Sequence, residues 1–108
     1  MRKRVSAKHL TTDVTARHQV RADILGQLFS QNITQGQALR LLRLRLLGFT
    51  QERFAQVTHI SRKTLSDLEN DRGNYSVDIV NQAFKPFGLK LTIAPVDLML
   101  MKQILENK

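Results

Sequence analysis

Six leucines crowd residues 34–49, TQGQALRLLRLRLLGF, at positions 39, 41, 42, 44, 46 and 47. On a helix they fall on more than one side, so the segment predicts a central helix wrapped by others rather than a surface helix with one apolar stripe. Gly48 supplies its C-terminal stop. Arg40 and Arg43, three residues apart, share the polar face that is left.

The segments on either side supply neighbours for such a helix. Upstream, Asp13 is a candidate N-cap for VTARHQVRADILGQLFSQN, in which Val14, Arg17 and His18, Arg21, Leu25, Leu28 and Phe29 recur at spacings of three and four. This predicts an additional helix over 13–31, broken by Asn32–Gln35. Downstream, three short helices are expected. Thr50 can cap the first, with Glu52 favourable in its first turn and Phe54, Ala55 and Val57 as candidate core residues. Ser61 can cap the second, with Leu65 and Leu68 facing inward. The loop NDRGNY, residues 70–75, is rich in turn formers. Ser76 then caps VDIVNQAFKPF, with Ile79, Val80, Ala83 and Phe84 as its buried set and Pro86 near its end.

After Gly88 the period changes. LKLTI, residues 89–93, alternates apolar and polar, with Leu89, Leu91 and Ile93 on one side. A lone strand in a helical chain leaves its edges unsatisfied. The economical partner is a second copy of the chain across a two-fold axis; the other reading is an extended tail packed on the helices. Pro95 ends the segment. Residues 96–108 form a short amphipathic tail with Leu98, Met101 and Leu105 at helical spacing. It can cover a dimer seam, bind another protein or pack on its own domain.

The totals bound the function. A chain of 108 residues is one domain's worth. It has no cysteine, hence no disulfide framework and no thiolate metal site. No apolar run approaches the roughly 18 residues that span a bilayer, and the basic start leads into polar residues rather than the apolar stretch of a secretory signal. A soluble, cytoplasmic and nucleoid-associated protein is the expectation. The net charge is +8. Residues 1–30 hold six basic and two acidic residues, 31–60 four and one, and 61–108 seven and six, so the excess sits in the first 60 residues. Such a field favours polyanions, nucleic acid before membrane. Enzyme signals are absent: His9, His18 and His59 lack metal-ligand spacing, and no glycine-rich phosphate loop occurs. No cofactor is expected.

Residues 51–70, QERFAQVTHISRKTLSDLEN, carry the functional reading. Two short helices are joined by a tight turn at Thr58–Ile60. Phe54, Ile60, Leu65 and Leu68 glue them together, and Ala55 is small where the second helix crosses. This is helix-turn-helix spacing: one helix can straddle a DNA backbone while the other enters a major groove about 12 Å wide, N-terminal end foremost.

The stretch 38–88 resembles the Cro/CI-type, or Xre-family, helix-turn-helix domain of lambdoid phage repressors, through GFTQERFAQ (48–56) and SRKTLSDLEN (61–70). The resemblance implies an all-α, five-helix domain over 34–88. It implies that Gln51 contacts a phosphate and that Ser61, Arg62, Lys63 and Thr64 read bases, with Asp67 one turn on. FKPFGLKLTI, residues 84–93, is similar to the strand that follows the domain in HipB-like proteins, the DNA-binding antitoxins of kinase toxin modules. There the strand pairs between subunits, which implies a dimerisation strand over 89–95. Three positions depart from the family pattern. His59 stands where a turn glycine is common, and Thr58 at a usually more apolar core position. Arg43 and Arg45 straddle the place of the arginine that bonds a glutamate like Glu69.

Arg62 and Lys63 are pure donors, matched to guanine O6 and N7; one good bidentate contact is worth about 1–3 kcal/mol of base discrimination. Either can instead serve phosphates alone. Asp67 is tolerated near bases only opposite a cytosine amino group or as the partner of a neighbouring cation. The arm at 1–12, with Arg2, Lys3, Arg4 and Lys8, either lies in a minor groove or along phosphates, or contributes nothing. The expectation is a homodimeric regulator of double-stranded DNA, a repressor on a palindromic operator, extending to autoregulation of a toxin-antitoxin operon. The alternative is an antitoxin-type subunit whose main role is holding a kinase-like toxin.

Overall fold

Thr34, Thr50, Ser61 and Ser76 all lie in extended backbone, and each side-chain oxygen accepts the backbone N–H three residues on, from Gln37, Arg53, Thr64 and Ile79 at 3.1, 3.1, 3.0 and 3.2 Å. Caps of this kind are worth about 1 kcal/mol each. At Thr34 the cap is reciprocal: its own N–H donates to Gln37 Oε1 at 2.8 Å. Four helices therefore start where a hydroxyl stands ready.

The computed structural model describes residues 14–107. Helix α1 is Val14–Phe29 and α2 is Gln35–Leu42, continued by a wider π turn over Arg43–Leu47. Then come α3 (Gln51–Thr58), α4 (Arg62–Glu69) and α5 (Val77–Phe84), a 3₁₀ turn at Lys85–Phe87, and α6 (Leu98–Glu106). Among the described residues the architecture is all-helical, and none of these helices is long and apolar enough to cross a membrane. Asp13 and the arm at 1–12, including Arg2 and Arg4, lie outside the described residues.

The leucine-dense segment is central, as its pattern predicts. Leu39, Leu42 and Leu46 are buried against Ile24 of α1, Phe54 of α3, Leu65 of α4 and Phe84 of α5, while Leu44 is exposed. Gly48 ends the segment with φ 65°. The Phe54 and Phe87 rings stack with centroids 5.6 Å apart. Gly36 lets α2 and α4 meet: a Cβ there would collide with the Leu68 carbonyl oxygen and stand 2.8 Å from that of Glu69.

Several expectations are corrected. Arg43 does not share a polar face with Arg40; it is buried, because Glu69 is buried opposite it. The fully buried residue of α1 is Ile24, whereas Leu25 and Leu28 are half-buried and Phe29 is exposed. Val57 faces solvent and Thr58 takes the inward position. Residues 89–93 form no strand, and no other described segment of the chain pairs with their backbone. The Asn81 side chain accepts the Leu91 N–H at 2.7 Å instead, and Leu89 and Leu91 pack half-buried against the core. Ile93, the third residue of the expected dimerisation set, is 99% exposed. Helix α6 buries none of its residues.

Candidate nucleic-acid interface

The α3–α4 pair is fixed at its turn from three directions. His59 adopts left-handed backbone, φ 59° and ψ 36°, the conformation for which the family's glycine is suited. Thr58 satisfies its buried hydroxyl by donating to the Phe54 carbonyl at 2.7 Å. Gln82 of α5 donates to the Thr58 carbonyl at 2.6 Å, tying the turn to the next helix. The α4 axis is thus set before any ligand arrives.

The far end of α4 is fixed as well. Arg43 donates from Nε to Glu69 Oε2 at 2.7 Å and from Nη2 to Oε1 at 2.9 Å, and from Nη1 to the Phe49 carbonyl at 2.7 Å. Of the two candidate arginines, Arg43 holds Glu69. Gln51, at the first position of α3, adds a donor to Glu69 Oε1 at 3.0 Å. In the free chain the side chain expected to meet a phosphate is therefore engaged with the glutamate that closes α4.

The leading end of α4 carries the remaining expected residues. Ser61 Oγ caps the helix and donates to Thr64 Oγ1 at 2.9 Å, so the two hydroxyls hold each other. The Arg62 side chain is exposed and makes no hydrogen bond or ion pair among the described residues. Lys63, with its side chain 84% exposed, donates to Asp67 Oδ2 at 3.1 Å. Tyr75 Oη donates to the same oxygen at 2.6 Å, and Arg72 Nε stands 3.9 Å from Oδ1. The tyrosine hydroxyl, then the Lys63 ammonium, hold the Asp67 carboxyl below the usual carboxylate range, and Asp67 in turn raises Lys63. Asp67 is thus the partner of a neighbouring cation, one of the two roles open to it in the sequence.

Gln51, Arg62, Lys63, Ser66, Asp67 and Arg72 line one shallow cleft of about 520 Å³. Donors predominate there, suited to oxygen acceptors such as phosphate or guanine O6. Arg53, one turn along α3 from Thr50, lies over the Phe49 ring, 5.5 Å from its centroid. Arg72 and Tyr75 escaped the sequence reading, which saw NDRGNY only as a turn; the signal was a cation and the single tyrosine one loop away from a basic helix start.

A family model described as helix-turn-helix matches residues 39–93. The competence pilus inhibition repressor of Acinetobacter baylyi is 37% identical over 57 residues, which cover 53% of this chain and 51% of that protein. The chain thus matches about half the length of this curated relative. No solved structure matches the chain significantly.

Proposed function

This chain belongs to the helix-turn-helix family, and we propose that it is a sequence-specific regulator of transcription that binds double-stranded DNA through α4. One observation carries the reading. Among the described residues the Arg62 side chain has no partner, and it stands at the leading end of a helix whose far end is locked by a buried ion pair. A rigid helix presenting a free guanidinium suits base-edge recognition, because little is lost in ordering the reader. Gln51, Lys63 and Arg72 border the same cleft, and in this reading they meet phosphates beside it. Ser61 and Thr64 act in this reading mainly by shaping the helix start.

The finer reading is a homodimeric repressor on a palindromic operator, with half-sites about one DNA turn apart. The similarity to a protein named as a repressor supports the sign of regulation. The exposed Ile93 and the unburied α6, apolar along much of its length, support self-association. Leu89 and Leu91 would join such an interface only by leaving their own core. Autoregulation of a toxin-antitoxin operon is a further extension. The same exposed α6 equally favours a second reading, a subunit that holds another protein such as a kinase-like toxin. Co-purification with the product of a neighbouring kinase-like gene tests it.

The primary test is fluorescence anisotropy with DNA from upstream of the gene and a scrambled duplex of equal length, across a salt series. Tight binding to the upstream DNA, lost in Arg62→Ala, is expected. Equal, weak and steeply salt-dependent binding to both duplexes would reduce the +8 charge to a polyanion footprint.

A further inference from the structure

Arg62 and Lys63 adjoin at the leading end of α4, yet their surroundings differ. The Arg62 side chain has no partner among the described residues, whereas Lys63 is drawn back one turn to Asp67. A helical turn is about 5.4 Å long, so the ammonium is displaced from the end that enters a groove first. Asp67 does not hold it alone. Its Oδ2 also accepts from Tyr75 Oη, and that tyrosine lies outside the recognition helix, in the loop after it.

The loop is built around the tyrosine. Its ring lies so close over Gly73 that a Cβ there would meet Tyr75 Cε2 at 2.7 Å. Arg72 N–H donates to the Asp67 carbonyl at 2.8 Å, fastening the loop to α4. The charged and titratable groups facing the Asp67 carboxylate are Lys63, Arg72 and Tyr75.

Building on the DNA-reading function proposed above, we propose that Tyr75 is a positioning residue for specificity: through Asp67 it holds Lys63 off the base edges, leaving Arg62 as the base-reading cation. A tethered lysine still offers a point charge to phosphate. A released one swings forward and competes for guanine acceptors beside Arg62, and the preference for one base loosens. The hydroxyl of Tyr75 is the switchable part, because phenylalanine keeps the ring over Gly73 and loses only the hydrogen bond.

The test compares wild type, Tyr75→Phe, Lys63→Ala and the double variant, each binding its upstream DNA and the scrambled duplex across a salt series. Tyr75→Phe is expected to lower the upstream-to-scrambled affinity ratio roughly fivefold, the scale of one lost hydrogen bond. Scrambled-duplex affinity should rise as the released ammonium finds guanine acceptors there, and the loss of discrimination should vanish in the Lys63→Ala background. A ratio within twofold of wild type overturns the proposal. So does a loss that persists without Lys63, since Tyr75 would then act through loop structure alone. Should Tyr75→Phe fail to fold, as judged by circular dichroism, Asp67→Asn releases Lys63 by another route and the same outcomes decide. Wild type that does not discriminate between the duplexes sinks the DNA-reading function itself, a result distinct from a normal wild type with an unaffected variant.

Discussion

Arg43 grips Glu69 through two parallel hydrogen bonds, with side chains only 7% and 2% exposed. Removing one partner leaves a buried charge uncompensated, so Glu69→Ala should cost about 3–5 kcal/mol in urea denaturation. Replacing both residues together, as Arg43→Met with Glu69→Leu, should cost less than either single truncation, because no orphaned charge remains.

Gly36→Ala should destabilise by about 1–3 kcal/mol, since the added Cβ meets the Leu68 and Glu69 backbone carbonyls, which cannot swing aside, as well as the Asp71 carboxylate. The midpoint of chemical unfolding reads this directly. The same substitution at Gly26, where a Cβ meets nothing within 4 Å, is the control and should be neutral or stabilising.

At His59 the direction reverses. Its left-handed backbone suits glycine, and His59→Gly should raise stability by roughly 0.5–1 kcal/mol after the extra flexibility of the unfolded chain is set against the relieved strain. Thermal melts of the two proteins check it.

Asp67 makes a pH-dependent prediction. Its carboxyl titrates below the ordinary 3.8 in the folded chain, so folding favours the ionised form. That contribution is complete above the unfolded value and is lost as pH falls through the lowered folded value. Stability measured by urea midpoint should therefore fall less steeply on acidification below about pH 4 in Asp67→Asn than in wild type.

Removing residues 97–108 deletes a helix that buries nothing. The melting temperature of dilute protein should shift by no more than about 3 °C. If α6 carries self-association, sedimentation of the shortened chain should show monomer at concentrations where the full chain is paired.

The helices were legible because their starts are spelled locally: a hydroxyl residue at 50, 61 or 76 followed by an apolar pattern suffices. The arrangement of α3 and α4 was legible through the spacing of Phe54, Ile60, Leu65 and Leu68. What escaped depended on contacts distant in sequence. Ile24 differs from Leu25 only in which side of α1 meets α2, and nothing local marks that side. Choosing Arg43 over Arg45 required knowing where the π turn aims each side chain. The bond from Tyr75 to Asp67 spans eight residues and a turn, beyond the reach of helical periodicity. The alternation in 89–93 was real, but alternation states which faces differ and not whether a second strand is present.

Asp71 gives the capped start of α2 an electrostatic meaning. Its carboxylate accepts from Thr34 Oγ1 at 2.5 Å and from the Gly36 N–H at 2.9 Å, across 37 and 35 residues of chain. A helix start is a natural anion seat, and here the chain has filled one with its own anion. A phosphate drifting toward α2 meets a like charge, and α3 carries Glu52 in its first turn, whereas the start of α4 holds a neutral hydroxyl cap and no acidic residue in its first turn. By neutralising the positive pole of α2 while that of α4 stays open, the loop behind the recognition helix narrows the orientations in which a polyanion can settle on the molecule.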